Sequence, residues 1–186
     1  VISFGATGTT EGVVHVASGQ TLNVTSGFSS TGGMIKSLGG VLNLNARQFV
    51  SGTTYVNGGT LRLKSGQVNT LLYNNGLAVN YGGTLDLNGG AQFAGALTSV
   101  GSAANADTQG GSIVNSAGSR ATLVLNANGS FGGVISGDVY LAKVGTNGQA
   151  FLYPQTYTGP TVSAGGSMTF ADEGTLLSSS AMTIVG

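Results

Sequence analysis

A glycine doublet followed by two apolar residues with one spacer between them recurs along this chain, and that recurrence constrains the fold more than any other feature. It reads Gly-Gly-Val-Leu-Asn-Leu at 39–44, Gly-Gly-Thr-Leu-Arg-Leu at 58–63, Gly-Gly-Thr-Leu-Asp-Leu at 82–87 and Gly-Gly-Ser-Met-Thr-Phe at 165–170. Thr-Leu-Asn-Val at 21–24 and Thr-Leu-Val-Leu at 122–125 repeat the apolar part. Aligned on the first apolar residue, the units fall at Leu22, Leu42, Leu61, Leu85, Leu123 and Met168, at intervals of 20, 19, 24, 38 and 45 residues. The two long intervals span about two units each, with intermediate units expected near Leu97 and Val139. A period of this length is too short for the common helical solenoids and suits leucine-rich repeats or a parallel β-helix. The leucine-rich frame and its helical return are absent, so the β-helix is the reading that remains.

Local chemistry explains the unit. Alternation over four residues turns one side of a strand inward and the other outward. Glycine at the corner supplies backbone conformations that other residues resist, which accounts for 34 glycines in 186 residues. One coil cannot bury its own apolar side, but a stack of coils forms a continuous interior. Each buried leucine contributes roughly 1.5–3 kcal/mol, which offsets the cost of ordering so much glycine. The sequence therefore predicts an all-β, parallel β-helix of roughly 19–24 residues per coil, with almost no helix. The outward positions of the aligned units are Asn23, Asn43, Arg62, Asp86, Val124 and Thr169. Arg62 and Asp86 are expected to be cross-strand neighbours outside, with Leu61, Leu63, Leu85 and Leu87 inside. As an exposed pair they would contribute about 0–1 kcal/mol. Asn43, Asn45, Asn126 and Asn128 are expected in stacked amide ladders.

Charge and composition narrow the partners. Six acidic and six basic side chains give zero net charge, and no basic run exists, which speaks against nucleic acid and anionic lipid. No apolar stretch reaches the length of a membrane helix, so no direct membrane insertion of this segment is expected. Cysteine is absent, excluding a disulfide scaffold or a thiolate metal site.

Two stretches carry a specific likeness. Phe49–Leu63 (FVSGTTYVNGGTLRL) and Gln155–Phe170 (QTYTGPTVSAGGSMTF) resemble the passenger-associated transport repeat of bacterial autotransporters. Thr156, Tyr157, Thr158, Gly159, Thr161, Val162 and Gly166 match that pattern, while Gln155, Met168 and Phe170 depart from it. The resemblance implies a right-handed parallel β-helix exported across the outer membrane of a Gram-negative bacterium and displayed outside it by a C-terminal β-barrel translocator. It implies one segment, residues 1–186, cut from a longer passenger.

The chain offers little that announces chemistry. His15 is the only histidine and is read as an outer or rim residue of a strand. No Gly-x-Ser-x-Gly elbow occurs, and no two glycines are separated by one residue, which removes the dinucleotide and calcium-roll motifs. Asp172 and Glu173 read as a polar turn, with Asp107 and Asp138 as a remote alternative for a glycosidase pair. Tyr55, Tyr73, Tyr81, Tyr140, Tyr153 and Tyr157 could stack on sugars, although packing against neighbouring coils accounts for most of them. No catalytic, cofactor or metal residues are assigned. The expected role is a surface-displayed passenger segment acting in adhesion or self-association, by contact with identical copies, a host surface or a glycan. The alternatives are a stalk holding a separate enzymatic head, or a carbohydrate-active β-helix or phage tail fibre.

Overall fold

The computed structural model describes residues 1–5, 10–99, 110–171 and 174–185. Within them the chain is a right-handed parallel β-solenoid with three faces, and no helix occurs among the described residues. The long face is a single sheet of seven strands: Thr21–Val24, Val41–Leu44, Gly59–Arg62, Gly83–Asp86, Ser112–Val114, Val134–Gly137 and Thr156–Tyr157. The second face carries Gly12–His15, Met34–Ser37, Thr54–Val56, Leu77–Val79 and Leu97–Thr98. It continues through Gly129–Phe131, Gly148–Phe151 and Ser167–Phe170, the two parts meeting where Ser99 N donates to Ser130 O. The third face runs from Ile2–Ser3, Phe28–Ser30 and Phe49–Val50 to Ala91–Ala94, Ala121–Leu125, Val139–Lys143, Thr161–Ser163 and Met182–Ile184. Residues 68–71 join its two parts, through Gln48 N donating to Thr70 O and a parallel bridge between Val68 and Ala91. Every strand pair is parallel, as a coil that always winds the same way requires.

The glycine doublets sit where the chain turns onto the next strand, and at 82–83 the two members do different work. Gly82 has φ +78° in open space, so its need is conformational. Gly83 needs room instead, since a Cβ there would meet the Val56 carbonyl oxygen at 2.2 Å. At 58–59 one residue meets both needs: Gly59 takes φ +62°, and a Cβ there would meet the Gly40 carbonyl oxygen at 2.3 Å.

Inward leucines of the long face stack in register as Leu42, Leu61, Leu85, Ile113 and Ile135. All are fully buried, as are Leu63 and Leu87 two residues on from Leu61 and Leu85. Leu22 stands first in the same column among the described residues and is 41% exposed. The column departs from the sequence alignment after Leu85. Its next members are Ile113 and Ile135; Leu123 and Val139 lie on the third face, while Leu97 and Met168 lie on the second. All three faces carry the same alternation, so spacing along the chain does not reveal which face a unit joins. Val124 and Thr169 accordingly do not share a column with Asp86.

The two stretches resembling the transport repeat each pass over all three faces, but out of phase with one another. Tyr55 belongs to the second face and points outward, whereas Tyr157 belongs to the long face and is fully buried.

Polar residues at inward positions complete the interior. Gln48, Gln92 and Gln155 are buried, and each places its amide where a peptide group of the neighbouring coil needs a partner. Gln48 Oε1 accepts from Phe28 N at 2.8 Å, Gln92 Oε1 from Leu71 N at 3.0 Å, and Gln155 Oε1 from Ile135 N at 2.9 Å. The Gln92 and Gln155 Nε2 groups donate to Leu71 O and Gly133 O. These side chains restore the ladder at bends, where backbone cannot reach backbone. Lys36 and Lys143 are also fully buried. Lys36 Nζ donates to the carbonyls of Ser37, Leu38 and Gly58, tying a corner in which Leu38 takes φ 65°. Burial pushes both ammonium groups below the ordinary lysine pKa.

Candidate functional site

The outer surface is organised by the same two-residue alternation that fills the core. On the second face, Val13, Ile35 and Tyr55 align as one outward column, and Ala78, next in register, is buried. His15 and Ser37 align two residues further on, with Asn57 and Asn80 following them where the strands end. An apolar column therefore runs beside a polar one, both parallel to the solenoid axis.

The polar column is bonded in two pairs. His15 Nδ1 lies 2.6 Å from Ser37 Oγ, and Asn80 Nδ2 donates to Asn57 Oδ1 at 2.7 Å. Between the columns and the flanking corners lies an open groove of about 500 Å³, lined by Glu11, Ile35, Tyr55, Asn57, Asn80 and Tyr81. Tyr81 is 71% exposed, an unusual placement for a large aromatic ring, and Tyr55 is half-buried in the groove. Among the described residues Glu11 is the only charged side chain lining it.

His15 thus occupies the outer strand position expected from the sequence, and it meets a serine. A nucleophile needs its base oriented by a third group. Among the described residues no carboxylate hydrogen-bonds to this imidazole, and its neighbours on the strand are apolar.

Arg62 and Asp86 sit on adjacent rungs of the long face as expected, with Nε to Oδ2 at 2.7 Å. Their environment differs from the expectation. Asp86 is 1% exposed, while Arg62 remains 41% exposed and lies over it. Ser116 Oγ and N and Asn88 N also donate to the carboxylate. Burial alone would raise the Asp86 pKa, but the bonds from Ser116, Arg62 and the two backbone groups outweigh it and hold the carboxyl below its ordinary range. The residue is a covered anchor between coils, not half of a solvated surface pair.

Other flagged residues are dispersed. Asp138 pairs with Arg120 at 2.6 Å at the surface. Asp107, Asp172 and Glu173 lie outside the described residues. Tyr157 is buried and hydrogen-bonded to Thr161 at 2.6 Å, Tyr73 is exposed, and Tyr140 and Tyr153 are partly covered. Amide ladders form at Asn23–Asn43, Asn57–Asn80 and Asn74–Asn126, while Asn128 accepts from Gly148 N. Among the described residues no cluster of three or more potential metal ligands occurs.

Two further hollows exist. One of about 490 Å³ lies at the first coil among Phe4, Val14, Leu22, Val24 and Phe28, where the interior has no covering coil. The other, of about 370 Å³, lies between Asn128, Gly148 and Thr169. Of these three, the second-face groove combines exposed aromatic surface, paired amides and a carboxylate.

No family model, no characterised protein and no solved structure matches this chain.

Proposed function

We propose that this chain is a segment of a surface-displayed passenger of the autotransporter kind, working by adhesion or self-association. The observation that carries the reading is the solenoid's continuous outer faces, rich in hydroxyl and amide groups and nearly free of charge. Such faces repeat one contact along an axis, so individually weak polar contacts add up through multiplicity. Zero net charge also lowers the electrostatic barrier between copies. The resemblance of residues 49–63 and 155–170 to the transport repeat supplies the export route: a β-barrel translocator and a position outside a Gram-negative outer membrane.

The reading is tested by fusing residues 1–186 to a β-barrel translocator and displaying the fusion on a non-adherent bacterium. Cell clumping or attachment to host-cell monolayers, absent with the translocator alone, is the expected result. Unchanged behaviour overturns it. If deletion from a longer passenger instead abolished an attached enzyme's display and spared adhesion, the segment would be a stalk.

A further inference from the structure

We propose that the groove outside the second face, between Glu11 and Tyr81, binds a neutral oligosaccharide laid along the stack of coils. The inference rests on the adhesive reading above and names the ligand for it.

The groove's chemistry is divided in the way a sugar chain is divided. A pyranose ring has an apolar face of C–H groups and a rim of hydroxyls. Ile35 and Tyr55 provide an apolar floor, and the exposed ring of Tyr81 provides a second aromatic surface at its edge. Asn57 contributes its Oδ1 to the amide ladder, which leaves its NH₂ group for a hydroxyl acceptor. Glu11 offers a carboxylate that accepts from two hydroxyls at once. Pockets that hold small polar ligands combine aromatic walls with a few such placed polar groups.

Periodicity strengthens the match. Coils are stacked about 4.8 Å apart, close to the length of one unit of an extended sugar chain. Successive sugars would meet successive coils: Ile35 on one, Tyr55 and Asn57 on the next, and Tyr81 on a third.

Competing ligand classes fit less well. Among the described residues no cationic side chain lines the groove, so phosphate or sulfate esters find no counter-charge there. An extended peptide bound by strand addition needs a free sheet edge. The strands beneath this groove, Met34–Ser37 and Thr54–Val56, are paired on both sides.

The test is affinity electrophoresis of the full 186-residue chain through gels containing hydroxyethylcellulose, galactomannan or xylan. Retarded migration in at least one gel is expected, with binding roughly tenfold weaker for Tyr81→Ala, the loss of one good contact surface. Glu11→Gln should weaken binding less. Both side chains are exposed, so the melting temperature should not move. Absence of retardation in all three gels overturns the proposal, as does equal retardation of wild type and Tyr81→Ala. The displayed fusion separates this result from the adhesive reading. Attachment undiminished by Tyr81→Ala, or persisting after enzymatic removal of host glycans, sinks the groove alone. Retardation in the gels by a chain that confers no attachment sinks the adhesive role and leaves the groove standing.

Discussion

Gly82 and Gly83 are neighbours whose side-chain hydrogens matter for different reasons, and mutation should separate them. Gly82→Ala meets nothing but must hold a left-handed backbone, a cost of about 1–2 kcal/mol. Gly83→Ala must push the Val56 carbonyl away, so chemical denaturation should show a loss of about 3 kcal/mol or more. Equal losses would contradict the division of labour. Two titrating residues give further expectations. The Asp86 carboxyl titrates lower when folded than when unfolded, near 3.9. Its contribution is therefore complete above pH 4 and fades as pH falls through the folded value. Asp86→Asn should lose about 1–3 kcal/mol at pH 7 and show a shallower fall in stability below pH 4 than wild type. Tyr157 behaves oppositely. Burial, only partly offset by the hydrogen bond with Thr161, pushes its hydroxyl up to about 12. Its contribution is present below the unfolded pKa of about 10 and disappears as pH rises from there through 12. Tyr157→Phe should flatten that part of the alkaline melting profile, and a profile identical to wild type would contradict the assignment.

At the scale of the strand and its corner, some of this structure is legible in the sequence and some is not. The Gly-Gly-Thr-Leu-x-Leu units at 58–63 and 82–87 are aligned as their spelling suggests, with Leu61 on Leu85 and Arg62 on Asp86. Beyond them the spelling misleads, because Leu123 and Met168 sit in strands that look the same but belong to other faces. The chain between Leu85 and its true neighbour Ile113 contains a third-face strand, a second-face strand and residues outside the described set. A one-dimensional period does not count those turns. Inward polar residues are hidden for another reason. Gln92 in Ala-Gln-Phe-Ala and Lys36 in Met-Ile-Lys-Ser are spelled like exposed positions, and only the carbonyls and amides of the next coil show why each points inward. The groove was half legible. Tyr55 and Tyr81 are visible as aromatics, but their meeting depends on a strand and a corner being brought together across coils. Gln92→Leu tests the amide substitution directly. It strands Leu71 N and O in the interior and should cost about 1–3 kcal/mol, although leucine is the more apolar residue. A neutral or stabilising result would show that these backbone groups find other partners.

Over the whole molecule, each coil touches the coil before it and the coil after it, so stability is close to a sum over neighbouring pairs. Among the described residues the strands Thr21–Val24 and Met182–Ile184 have a neighbour on one side only. Lysine at Leu22 and at Ile184, both already exposed, should suppress concentration-dependent association in sedimentation experiments while leaving the melting temperature nearly unchanged. Association that survives both changes would place the contact on a face instead. The register between coils has a consequence for length. Met34 and Thr54 occupy the same place on successive turns. Cutting out residues 34–53 would join Gly33 to Thr54 at a junction the chain already makes one coil later. The excised turn takes Gln48 with it, leaving Phe28 N without its present partner, so the shortened protein should melt at a lower temperature yet keep its β circular dichroism spectrum. A collapsed or unfolded product would mean that the coils are not interchangeable. If they are, such a chain can grow or shrink by whole turns through ordinary duplication and deletion of its gene, and its reach becomes a heritable quantity separate from what its surface binds.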